Sequence, residues 1–155
     1  MTGRNLGISV RIPIAVGAVV LAGCSSGPAP GRDATSEPWY RQTVAQLASI
    51  DRQAEDAFKV GKADQAAALI QQGQPLMDRL LAVPRPTLEA VEAASDLDDL
   101  YGRMLLSNRH YGWARMFFQK NLARWKHWTP QTPEAESRLK QANAAIEECD
   151  RHIGE

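Results

Sequence analysis

Gly102-Arg103-Met104-Leu105 and, after a short turn near Asn108 to Tyr111, Ala114-Arg115-Met116-Phe117-Phe118 decide how this chain folds. Gly102 and Ala114 carry almost no side chain, which suits a point where two helices cross closely. Phe118, one helical turn beyond Ala114, fills the space past that crossing. Any antiparallel helical hairpin needs small residues at such a point. The stretch therefore establishes a hairpin before it establishes a kind of hairpin.

Outward from this pair the chain reads as helix after helix, with no convincing strand. Ser36 is placed to cap a first helix whose early turn holds Glu37 and Pro38. Tyr40, Val44, Leu47, Ala54 and Phe58 form its apolar face, and Gly61 ends it. From Lys62 to about Ala82 the residues Ala66, Ile70, Gly73, Met77 and Leu80 recur at helical spacing. Pro84 and Pro86 break the chain, Thr87 caps a third helix to about Asn108, and a fourth runs to about Trp128. A second break, Thr129-Pro130-Gln131-Thr132-Pro133, leaves Thr132 as N-cap of a fifth helix to about His152. Its stripe is Ala135, Leu139, Ala142, Ile146, Cys149 and Ile153, which makes Cys149 a core residue rather than a reactive thiol. The expected fold class is all-α: about five antiparallel helices, as a helical-hairpin stack or a small bundle.

The hairpin at Gly102 to Phe118 resembles a tetratricopeptide repeat. That family's pattern has Gly followed three residues later by a bulky side chain in one helix and Ala-x-x-x-Phe in the next. The departures are specific: Asp98 stands where the family places Trp, Tyr101 replaces Leu, Leu105 replaces Tyr, and Lys126 stands near the expected Pro. A fainter copy lies upstream, where Gly61 to Ala66 and Ile70 match a turn and second helix. Its offset from Ala66 to Ala114 is 48, longer than the family's 34. The resemblance implies stacked hairpins with the last helix as a cap. A generic helical hairpin remains the other reading.

Ahead of this domain, Arg4 and Arg11 precede an apolar run from Ile12 to Ala22, closed by Leu21-Ala22-Gly23-Cys24. The order of charge, short apolar core and small residues is that of a secretory signal. With the cysteine at the cleavage point it resembles the lipobox of bacterial lipoproteins. The resemblance implies a cleaved leader (1–23), acylation of Cys24 and a membrane anchor of two or three acyl chains, palmitate among the type. Ser25 fits an outer-membrane address, facing the periplasm, in a host with two membranes. The alternatives are a retained membrane helix, which the short run with Pro13 and Gly17 disfavours, and a plain secreted chain. Residues 24–36 read as the lipidated cysteine and a Gly-, Ser- and Pro-rich tether, with a reach of roughly 20 Å. Residues 37–155 form the helical domain.

Charge sets what the domain meets. The whole chain has 18 basic and 18 acidic residues, and removal of Arg4 and Arg11 leaves 16 against 18. No net charge drives it to nucleic acid or an anionic surface. Locally the charges separate. Glu89, Glu92, Asp96, Asp98 and Asp99 fall together, with Asp99 and Arg103 at i,i+4 spacing; a solvated face is the ordinary reading. Arg103, Arg109, Arg115, Lys120, Arg124 and Lys126 follow without an acid, interleaved with Tyr111, Trp113, Phe117, Phe118, Trp125 and Trp128. If Ala114, Phe118 and Trp125 point inward, then Arg109, Trp113, Phe117, Lys120, Arg124 and Trp128 form a partner-binding side of aromatic anchors and cations. The competing reading buries both sides.

No catalytic motif is present, and His110, His127 and His152 lack the spacing of metal ligands. No cofactor and no nucleic-acid partner is expected. The expectation is a non-enzymatic interaction module on the cell envelope that binds a protein partner, as an assembly or accessory factor. The alternative is a lipoprotein whose aromatics and cations line a pocket for an anionic glycan, a peptidoglycan fragment or a lipid.

Overall fold

Helix boundaries follow the chain's own punctuation. The computed structural model describes residues 33–154; the leader, Cys24 and most of the tether lie outside them. A short 3₁₀ turn, Ala34–Ser36, leads into α1 (Pro38–Lys59), α2 (Ala63–Leu81), α3 (Leu88–Ser107), α4 (Tyr111–His127) and α5 (Pro133–Ile153). Thr87 and Thr132 each accept a hydrogen bond from the backbone N–H three residues on, at 3.4 and 3.2 Å. Pro133 opens α5, where its missing N–H costs nothing.

The start of α1 differs from the sequence reading. Glu37, without a side-chain cap bond, is the N-cap residue. Ser36 belongs to the preceding turn and donates its hydroxyl to the Asp33 carbonyl at 2.7 Å. Asp33 is the capping side chain there, accepting from the Thr35 N–H and hydroxyl at 3.0 and 2.8 Å. Residues 33–36 are thus part of the folded unit, because an Asx-type turn satisfies their backbone locally.

α1 packs against α2 and α3, α2 packs against α3, α3 against α4, and α4 against α5. This is two hairpins laid side by side with a fifth helix closing the second. The main core lies among α1, α2 and α3, where Tyr40, Leu47, Ala54, Ile70, Met77, Leu80, Leu97 and Leu100 are buried. All five residues of the α2 stripe, Ala66, Ile70, Gly73, Met77 and Leu80, are buried as the spacing requires. α5 covers α4 with Ala135 beside Trp125 and with Cys149 beside Ala114 and Phe118. Burial pushes the Cys149 thiol up from its ordinary value, so it is a small core hydrophobe. Ile153 departs from its stripe: it is exposed at the last turn of α5.

Both hairpins turn in the same way. Among the described residues Gly61 and Arg109, 48 positions apart (61 to 109), are the ones of positive φ, at 76° and 61°. The N–H of Gly61 donates to Phe58 and that of Lys62 to Ala57; the N–H of Arg109 donates to Leu106 and that of His110 to Leu105. These are paired Schellman bonds. The next residues repeat the torsions too, Lys62 at φ −88° and ψ 62°, His110 at φ −87° and ψ 57°. At the same offset Ala66 and Ala114 are both fully buried, as are Ala54 and Gly102. At Gly102 the crossing is close, since a Cβ added there would lie 2.7 Å from the Phe118 ring.

Candidate functional site

The second hairpin departs from the first in its middle layer. Where α1 buries Ile50, α3 buries Asp98, fully enclosed (50 to 98). Opposite it, Gln72 and Leu76 of α2 become Lys120 and Arg124 of α4. Arg124 Nη2 lies 2.7 Å and Lys120 Nζ 3.0 Å from Asp98 Oδ2. Arg124 also donates to Asn121, whose own amide donates to the Ser95 carbonyl at 2.9 Å, and Trp125 Nε1 donates to Ser95 Oγ at 2.7 Å. A buried carboxylate survives only with such partners.

This layer divides the residues expected on one partner-binding side. Arg124, with its side chain only 11% exposed, is held by Asp98 and Asn121 and is withdrawn from the surface. Trp128 is half-buried beside Val91, Trp125 and Ala135. It sits past the end of α4 in an extended conformation (ψ 135°), so the helical period no longer sets its direction. The six residues therefore do not form one continuous exposed side: Arg124 is tied into the Asp98 layer, and Trp128 is half-buried against α3 and α5. Arg109, Trp113, Phe117 and Lys120 remain at the surface. Cys24, the expected lipid site, lies outside the described residues.

What remains is a cleft at the turn end of α3 and α4, of about 360 Å³, lined by Tyr101, Leu105, His110, Trp113 and Phe117. Tyr101 meets Phe117 edge to face, with centroids 4.8 Å apart, a favourable aromatic geometry. That contact supports one wall. Trp113 stands beside it 63% exposed, so its indole is available to a partner. Lys120 Nζ, while paired with Asp98, lies 5.8 Å from the Phe117 ring centroid. Arg109 is exposed in the turn next to His110 and makes no ion pair among the described residues.

Tyr101, Leu105 and His110 are site residues that the sequence reading did not single out. Their signal is present: Tyr101 with Leu105 and Trp113 with Phe117 are i,i+4 apolar pairs on either side of the turn. At the offset of 48 the corresponding residues of the first hairpin are Gln53, Ala57, Lys62, Gln65 and Leu69. The same turn is thus built there with a largely polar set.

The acidic stretch is no solvated face either. Asp98 is enclosed, Glu92, Asp96 and Asp99 are half-buried, and only Glu89 is exposed. Arg103 donates to Asp99 at 2.9 Å, the expected i,i+4 pair, and reaches α1 to bond Glu55 at 2.5 Å. That hydrogen bond holds the Glu55 carboxyl below its usual range. Asp51, beside it on α1, has no side-chain hydrogen bond. Burial, and then the neighbouring Asp96 and Glu55 charges, push it up to about 6. On the far side Arg138 of α5 bonds Asp96 and stacks 5.2 Å above the Trp125 ring. These pairs tie α1, α3 and α5 together.

Among the described residues no three His, Cys, Asp or Glu side chains gather as metal ligands. No described helix is long and apolar enough to cross a membrane. The cleft is lined by aromatic and aliphatic side chains with His110 at its edge, so what it offers is burial of an apolar group. No family model, curated protein or solved structure matches the chain.

Proposed function

We propose that this chain is an exported, lipid-anchored interaction module of the cell envelope, with a tetratricopeptide-like hairpin stack that binds a protein partner through the cleft at Trp113. The observation that supports it most is the comparison within the molecule. Two hairpins share one turn and, at one offset, buried small residues, and only the second carries Tyr101, Leu105, Trp113 and Phe117 at the positions of Gln53, Ala57, Gln65 and Leu69. Hairpin formation does not require aromatics there. Exposed tryptophan beside a concave apolar wall is the residue type and setting of interaction hot spots. The cleft is open, which favours a partner surface over an enclosed ligand such as a glycan fragment or a lipid.

The leader supplies the address: Cys24 as the acylated residue, the tether as the spacer, and the outer membrane, facing the periplasm, as the location in a Gram-negative host. An assembly or accessory factor of an envelope complex is the role that combines this address with a binding face and no catalytic group.

Two experiments test the reading. A photo-crosslinking amino acid in place of Trp113, in the full chain in its own cells, is expected to yield one discrete protein adduct in the membrane fraction. Adducts only to glycan or lipid would replace the protein partner with the ligand-binding alternative. For the anchor, Cys24→Ala is expected to abolish labelling by radioactive palmitate and to accumulate uncleaved precursor. Normal maturation of that variant would refute the lipid anchor.

A further inference from the structure

We propose that α5 is a detachable cap: it opens from α4 as a unit, more readily than the rest of the molecule unfolds, and uncovers an apolar strip that prolongs the cleft. α5 packs chiefly on α4, whereas α1 and α2 pack on one another and each also on α3. Its hold is made of small side chains. α3 and α5 both follow a capping threonine, 45 positions apart (87 to 132). Counted from that cap, the seats where α3 buries Leu97, Leu100 and Met104 hold Ala142, Ala145 and Cys149 in α5. Leu139 and Ile146, the larger side chains of the α5 stripe, are only half-buried. An element that contributes little buried apolar area is one that opens on its own.

The remaining ties are polar and close to solvent. Arg115 bonds Asp150 at 2.6 Å with both side chains more than a third exposed, Arg138 bonds Asp96, and Tyr111 stacks on the exposed His152 with centroids 4.5 Å apart. Ion pairs of this kind contribute little in water and less in salt. Nor is the contact with α3 filled: a groove of about 410 Å³ separates α3 from the C-terminal half of α5, with Leu106, Phe118, Ala144 and Ala145 among its lining. A hinge is in place as well. The Gln131 amide donates to the Trp125 and Trp128 carbonyls at 3.1 and 2.6 Å, which holds the loop to α4 up to Gln131 and leaves Thr132 as the point where α5 turns away. Opening uncovers Ala114 and Phe118; Leu105 packs on the same cluster and also lines the cleft, so the two surfaces join. The opening needs no partner, and only its service to the cleft rests on the binding role proposed above.

The test is labelling of Cys149 by a thiol reagent in the native full chain carrying Cys24→Ala, which leaves Cys149 as its one thiol. Cys149 is fully buried against Ala114 and Phe118, so it reacts when α5 leaves α4. Labelling is expected to run about tenfold or more faster than the unfolding equilibrium measured in urea allows, with a urea dependence present but shallower than that of global unfolding. Salt at about 1 M, and Arg115→Gln with Arg138→Gln, should each speed it several-fold. Leu47→Ala and the milder Ile70→Val loosen the core among α1, α2 and α3. If α5 opens alone, both leave the labelling rate within about twofold of the parent. Labelling that shows the full urea dependence of unfolding and is accelerated by Ile70→Val would overturn the proposal. Labelling with no urea dependence would overturn it too, because the reagent would then reach the thiol through the closed fold. The Trp113 crosslink is read separately, so failure of the cap and failure of the binding cleft are distinct results.

Discussion

Arg109 occupies the left-handed backbone position, φ 61°, that Gly61 occupies at φ 76° in the preceding hairpin, and each closes its helix with the same pair of Schellman bonds. A residue with a Cβ is disfavoured in that conformation by roughly 1 kcal/mol. Arg109→Gly is therefore expected to stabilise the protein by about that amount, less the extra freedom glycine adds to the unfolded chain. Equilibrium urea unfolding measures it directly.

Gly102 is set by contact rather than by torsion. Its missing Cβ would lie 2.7 Å from the Phe118 ring, and Phe118 is fully buried under α5. Gly102→Ala is expected to lose about 1–3 kcal/mol by overpacking, despite the helix-favouring gain of alanine. Phe118→Leu in the same chain should recover part of the loss. Thermal or urea unfolding of the single and double variants gives the coupling between the two sites.

The buried Asp98 layer is expected to behave asymmetrically. Asp98→Ala strands Arg124 and Lys120 and should cost about 3–5 kcal/mol. Importing the first hairpin's residues, Asp98→Ile with Arg124→Leu, should recover most of it, because the same crossing already packs Ile50 there. If the imported pair is as unstable as Asp98→Ala, the two hairpins are not equivalent at this layer.

The helix breaks were legible because their chemistry is local. Thr87 and Thr132 cap, Gly61 turns, and Pro38 and Pro133 stand at helix starts where an N–H is not needed, whereas Pro75 lies inside α2. The α2 stripe was legible because that helix is buried along one side. Arg124 was not, since its direction is set by Asp98, 26 residues away and itself placed on a face read as solvated. Trp128 was not, because a period applies only while the helix lasts, and α4 ends at His127. Two of the five cleft residues were legible: Trp113 and Phe117 follow from the stripe, while Tyr101, Leu105 and His110 join them only once the turn brings α3 back against α4.

Asp51 makes stability depend on pH in a stated direction. Its folded pKa of about 6 lies above the unfolded value of 3.8. Between these the folded protein holds a proton that the unfolded chain has released, so this group's contribution to stability falls as pH rises from about 4 to about 6 and is constant above. Asp51→Asn removes the effect. The variant is expected to match the parent near pH 4 and to exceed it by about 1 kcal/mol at pH 7.5, after allowance for solvent screening. Urea midpoints of both proteins across this range provide the check.

The central claim is that the cleft at Trp113 serves binding and is not a requirement of the fold. Urea unfolding of Trp113→Ser in the full chain tests it most directly, without knowledge of the partner. The indole is 63% exposed, so the account predicts a stability within about 0.5 kcal/mol of the parent. A loss of about 2 kcal/mol or more would mean that Trp113 is held as part of the core, and would contradict the account.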